Sequence, residues 1–364
     1  MRQANAIDFW RGFALVNIFI NHVPGNAFAR YTYPNASLSD AAELFVFVAG
    51  WALGLATKGR DGREPAGRVV LRLASRAVEV YRAHVTITAI ALAMIAGAAL
   101  AFDNPVFLEW HNAGPAFSDP LQTTIGWVTL LHQLGYFNIL PLYVALLVMA
   151  PAFVLLARWS RGAALTFSLA VWAWSVAFEI NLPTWPVEGT WFFNPFAWQL
   201  LLVLGFLCCE WSRDSVAFRV WTKRLLPLGV LGVIVGAVVA LRDLKPDPLL
   251  VPEPRLFFIF SKSNVSPGRL VHFLALLLAF QGVYRFVAPH LPWLAMRFSA
   301  LGRNSLAVFS MGSILSLAGQ LVRFRMGGGI LIDCAIMAVG LAGLVFTAWF
   351  VEWRSRSPRP SRSA

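Results

Sequence analysis

The chain has 364 residues, 58% of them hydrophobic and only 13% charged, with a mean hydropathy of +0.64. Ordinary soluble domains hold roughly 45–50% apolar residues, so a water-soluble globular protein is excluded and an integral membrane protein follows. The net charge is +12, the three cysteines sit in apolar runs and cannot build a disulfide framework, and no CxxC or His/Cys cluster marks a metal site.

Hydropathy predicts helices near 9–27, 44–57, 83–102, 138–157, 163–180, 195–209, 225–241, 270–288, 305–322 and 330–351. The expected fold is therefore all-α and polytopic, with about ten transmembrane spans. Several runs are shorter than the roughly 20 residues a bilayer requires and must extend into their amphipathic flanks. Placing both termini in the cytoplasm puts the basic segments 58–82, 158–161, 210–224, 285–303 and the tail on the inner side, as the positive-inside bias demands. Arg323 and Arg325 fall on the outer side and oppose that bias. One membrane domain is expected over 1–352, followed by a short, disordered basic tail over 353–364. A secretory leader is not expected, because Arg11, Asn17, Asn21 and His22 interrupt the apolar centre that such a signal needs.

The first predicted span, "RGFALVNIFINH" (11–22), carries an arginine and a histidine. At 100° per residue, eleven positions amount to three turns plus about 20°, so both residues share a face about 16 Å apart. Asp8 lies on the same stripe, one turn earlier. Ionisable groups at membrane depth turn toward the bundle interior and mark functional sites by default. The residues alone also leave a second reading open, in which Arg11 snorkels to the interface and His22 is a satisfied structural histidine.

The motifs of the chain add a resemblance. "IDFWRGFALVNIFINH" (7–22) resembles the opening of the membrane acyltransferase-3 superfamily, with Ile7 in place of the usual leucine. "ELFVFVAGWALG" (43–54) and "LGRNSLAVF" (301–309) are similar to two later signatures of that superfamily, with Ala49, Leu306 and Phe309 as departures. "LGYFNILPLYVALLVMAP" (134–151), "FNPFAWQLLLVLGFL" (193–207) and "SPGRLVHFLALLLAF" (266–280) resemble the OpgC family of osmoregulated periplasmic glucan modifiers.

The resemblance implies succinyl transfer from cytoplasmic succinyl-CoA to hydroxyls of periplasmic glucans, in the bacterial inner membrane. A sugar hydroxyl needs a base to take its proton as it attacks a thioester, and His22, near the outer end of the first span, is expected to be that base. Glu43, at the start of the second span, either orients His22 or caps its own helix. The donor side is expected to use Asp8, Arg11, Arg72, Arg76, Arg82, Arg303, Asn304 and Ser305, arginine being suited to phosphate. Arg68, Arg72 and Arg76 share one helical face and equally describe attraction to anionic lipid. The acceptor side is expected to use His132, Gln133, Asn194, Trp198, Gln199, Arg269 and His272. No permanently bound cofactor, metal or nucleic-acid partner is expected; acyl-CoA, glucan and membrane lipid are. Transfer of another acyl group such as acetyl, transfer to another envelope polysaccharide, and a transporter or flippase stay open as alternatives.

Overall fold

The computed structural model of the chain describes residues 4–57 and 64–356, so positions 1–3, positions 58–63 of the first basic segment and 357–364 of the basic tail lie outside the described residues. In chain order the α-helices are α1 (Ala6–Asn21), α2 (Ala41–Ala56), α3 (Ala66–Ala101), α4 (Gly114–Ser118), α5 (Pro120–Val128), α6 (Ile139–Trp159), α7 (Arg161–Ala177), α8 (Pro195–Asp214), α9 (Val216–Arg224), α10 (Leu226–Leu241), α11 (Pro267–Phe280), α12 (Val283–His290), α13 (Pro292–Arg303), α14 (Ser305–Arg325) and α15 (Ile330–Arg356). Among the described residues the extended structure is limited to one isolated bridge, Pro183 to Thr190. The fold is all-α, as expected.

Among the described residues five helices, α3, α6, α8, α14 and α15, are long and apolar enough to cross a membrane, or up to seven segments if each of the bent pairs α9–α10 and α11–α12 is one span. Each of the ten apolar runs overlaps a helix, the run 270–288 being split between α11 and α12. The three expected spans beyond those seven are short helices: α1 and α2 have 16 residues each and α7 has 17, about 24–26 Å of helix against a hydrocarbon layer of about 30 Å. The chain is a multi-pass membrane protein with strongly apolar exposed helix faces, such as Leu71, Leu100, Val148 and Leu331.

Contacts divide the chain into two compact units, one of residues 1–29 and 283–364, the other of residues 30–282. In the first, α1 packs antiparallel on α13 with their backbones almost touching. A Cβ on Gly12 would collide with the Phe298 carbonyl, and one on Gly302 with the Asp8 carbonyl. Phe9, Phe13 and Phe298 close the crossing edge to face. Helix α15 returns along α14, and Phe19 of α1 rests against Gly340.

The second unit repeats the device. Helices α2 and α8 cross where Gly50 meets the Leu202 carbonyl and Gly205 meets the Phe47 carbonyl. Lipid tails are as apolar as leucine, so helices in a membrane gain little by hydrophobic burial; small residues let backbones approach and dispersion hold them. Helix α2 starts with a capping box, Asp40 accepting from the Ala42 N–H while the Asp40 N–H donates to Glu43. That cap makes Glu43 a fixed point of the fold.

Gly50→Leu should force α2 from α8 and sharply lower the yield of monodisperse, detergent-extracted protein and its unfolding temperature. Gly97→Ala, where an added Cβ meets open space, should instead stabilise α3 by about 0.5–1 kcal/mol.

Candidate functional site

In the first unit the expected donor residues gather at one end. Asn5 caps α1, its Oδ1 accepting from the Asp8 N–H at 2.9 Å while its amide donates to the Asp8 carboxylate at 2.6 Å. Arg11 stands 3.7 Å from Asp8. The Gly302 crossing brings the end of α13 to Asp8, so Arg303, Asn304 and Ser305 belong to that same end. Arg303 binds Glu352 of α15 at 2.8 and 3.0 Å, and Asn304 donates to the Ala300 carbonyl at 2.8 Å.

His22 ends α1 at the opposite pole. Its N–H donates to the Ile18 carbonyl at 2.9 Å, and the residue lines a small recess between α1 and α14 with Leu15, Ile18, Phe19, Val308, Phe309, Gly312 and Ser313. Helix α14 runs beside α1 in the same direction, from the Asp8 end to Gln320, whose amide donates to the His22 carbonyl at 2.6 Å. One rigid rod therefore carries Arg11 at one end and His22 at the other.

Glu43 lies in the second unit, and its carboxylate accepts from the Arg269 guanidinium, Nε at 2.9 Å. Both side chains are buried, Glu43 completely. Lys262 approaches Asp40 at 2.5 Å and sits 5.6 Å from the Phe193 ring centre, and Arg269 lies 3.6 Å from Asp40. Burial pushes the Asp40 carboxyl upward, but Lys262 and then Arg269 outweigh it and hold the group below the usual carboxylate range. Burial, reinforced by Asp40 and Glu43, raises the Tyr33 hydroxyl well above its usual value. His272 meets the Ser39 hydroxyl at 3.0 Å through Nδ1. Glu43, Arg269 and His272 are thus brought together, with Asp40 and Lys262 completing the cluster.

The other expected acceptor residues are scattered through this unit and bonded within it. The Asn194 amide reaches Ser175 Oγ, the Ile180 carbonyl and Asn264 Oδ1 at 2.7–2.9 Å. Trp198 donates to the Ser263 carbonyl at 3.0 Å, and Gln199 exchanges two bonds with Ser168. All three are buried. His132 sits in a loop where burial lowers its pKa, opposed by the ring's bond to the Asn112 backbone; Gln133 donates to the Leu130 carbonyl at 3.0 Å. On α3, Arg72 pairs with Glu64, Arg76 pairs with Glu79 at 2.6 Å, and Arg82 is exposed. No group of three or more His, Cys, Asp or Glu side chains among the described residues could hold a metal ion.

Compared with known proteins, residues 2–356 match the family model described as OpgC protein. The chain belongs to the OpgC family. No curated protein and no solved structure matches it. Membership in the OpgC family implies an acyltransferase acting on glucans.

Several residues of this OpgC-family chain escape a search by motif. Asp333 and Glu352 lie inside apolar text, "GGGILIDCAIM" and "WFVEWRS", and each neutralises an arginine of α14 or α13. Their signal was available, since a lone carboxylate in an apolar run needs a cation within the bundle. Lys262 lies in a loop with nothing in its flanking residues to announce Asp40 as its partner.

Arg269→Met should strand the Glu43 carboxylate and cost about 3–5 kcal/mol, read as a lower unfolding temperature, while the double change with Glu43→Met should recover most of it. The Asp40 pair adds a pH dependence of fixed sign. Because the folded pKa is depressed, its stabilisation is full above the unfolded value of about 4 and is lost only as pH falls through the lower, folded value. Lys262→Met should remove that part of the acid resistance.

Proposed function

We propose that this chain transfers a succinyl group from cytoplasmic succinyl-CoA to hydroxyls of osmoregulated periplasmic glucans, across the bacterial inner membrane. The observation that carries the reading is the placement of Arg11 and His22 at opposite ends of α1, about 16 Å apart, with α14 alongside and a recess between the two helices that His22 helps to line. A donor from one side and an acceptor from the other can meet on such a rod. In this reading ten helices cross, α1, α2, α3, α6, α7, α8, α10, α11, α14 and α15, with both termini inside.

The chemistry follows from the bonds that change. The neutral imidazole of His22 takes the proton of a sugar hydroxyl as its oxygen attacks the thioester carbonyl. The tetrahedral centre then collapses, the carbon–sulfur bond breaks, and the imidazolium returns its proton to the departing thiolate. The products are a succinate ester and free CoA; no acyl-enzyme is needed. At the inner pole, Arg11 with Arg303, Asn304 and Ser305 receives the phosphates of the donor, for which the guanidinium fork is suited. Asp8 and Glu352 hold those arginines in place before the donor arrives. Arg72, Arg76 and Arg82 of α3, in the other unit, add basic side chains suited to a phosphate-bearing donor.

In the other unit, Asp40, Glu43, Lys262, Arg269 and His272 offer donors and acceptors for sugar hydroxyls. Glu43 serves that cluster by anchoring Arg269. Buried Asn194, Trp198 and Gln199 brace the segments around it, and His132 and Gln133 brace the neighbouring loop.

His22→Gln, inserted and folded, should lose transfer of labelled succinyl from CoA to glucan by about 10²–10⁴-fold; a parental rate would sink the reading. Mass analysis of periplasmic glucans with and without the gene identifies the acyl group, and acetylated glucan would replace succinyl in the scheme. Movement of intact substrate across sealed vesicles without covalent change would mark a transporter instead.

A further inference from the structure

Directly after His22 the chain leaves α1 and turns through Val23, Pro24 and Gly25. Gly25 has φ +76°, a left-handed conformation that an L side chain adopts only with strain. This turn is held by three side chains from the far end of α14 and the start of α15. Gln320 donates to the His22 carbonyl at 2.6 Å. Arg323 donates through Nη2 to the Gly25 carbonyl at 2.6 Å and through Nε to Asp333 Oδ1 at 2.8 Å. The second oxygen of Asp333 accepts from the Ala27 N–H at 2.9 Å. Asp333 is almost fully enclosed, so its charge is committed to this bridge.

The arrangement does more than close a loop. An ion pair needs only the two charged groups, yet each partner spends a further donor or acceptor on the backbone that follows His22. Together they fix residues 22, 25 and 27, and through them the position of His22 at the end of α1, beside α14. The same arrangement accounts for Arg323, whose charge on the outer side of the chain opposes the distribution of the other basic residues.

We infer that Gln320, Arg323 and Asp333 are positioning residues for the His22 imidazole, setting its distance from the hydroxyl whose proton it takes. The inference rests on His22 acting as the base. The three side chains exchange no proton with substrate and touch no reacting atom; they act by holding the backbone of the residue that does.

The test is steady-state transfer from succinyl-CoA to glucan by purified full-length protein, normalised to the folded fraction. Gln320→Leu removes one neutral hydrogen bond and leaves the ion pair, so it should fold. It should lower kcat by about tenfold or more, toward the 10²-fold that a 1 Å misplacement costs, with KM for succinyl-CoA unchanged. Asp333→Asn should do the same more strongly. Arg323→Lys, which can keep the bridge to Asp333, should recover part of the rate lost in Arg323→Met. A parental kcat in folded Gln320→Leu, or a loss confined to KM or to the yield of folded protein, overturns the inference. His22→Gln separates the two readings: inactive His22→Gln beside fully active clamp variants sinks the clamp alone, whereas active His22→Gln sinks the assignment of the base and the clamp with it.

Discussion

A charged side chain inside an apolar bundle is tolerated only where an opposite charge meets it, because the hydrocarbon around the protein offers neither water nor counter-ion. Among the described residues, Arg269 obeys that constraint by reaching across helices to Glu43, Arg303 to Glu352, Arg323 to Asp333, and Arg161 to Glu210 and Asp214. Every one of these pairs joins residues on different helices, and each stands near helix ends rather than at mid-span. Removing one partner leaves the other charged and enclosed, so the pairs behave as staples whose loss is felt throughout the unit that holds them.

Between the staples the helices are held by contact alone. The glycine crossings of α1 with α13 and of α2 with α8 bring carbonyl oxygens against the positions where a Cβ would stand. These two devices divide the labour: close backbone packing sets which helices are neighbours, and ion pairs at the ends set their axial register. A slide of one turn, about 5.4 Å, would separate Arg303 from Glu352 and Arg323 from Asp333 together.

The apolar runs were legible from the text because they depend on hydropathy, which is local. Helices α3, α6, α8, α14 and α15 follow from such patterns. The short helices α1 and α2 did not declare their lengths, because their ends are decided by caps and turns: Asn5 and Asp40 at their starts, and Gly25 with its bound carbonyl just beyond α1. Polarity in a loop-proximal segment was also ambiguous. Asn194, Trp198 and Gln199 carry groups that suit a sugar, but their bonds run to Ser175, Ser263 and Ser168, partners between 19 and 65 residues away. Spacing along the chain says nothing about such partners.

His22 is held differently from the arginines, and the difference bears on mechanism. An arginine pair fixes two side chains against each other. Around His22 the bonds from Gln320 and Arg323 fall on main-chain carbonyls, those of His22 and Gly25, so the end of α1 and the turn after it are fixed by groups other than the imidazole. A base that first takes a proton and then returns it changes its own hydrogen bonding during the reaction, and a clamp made to the main chain holds its position through both steps.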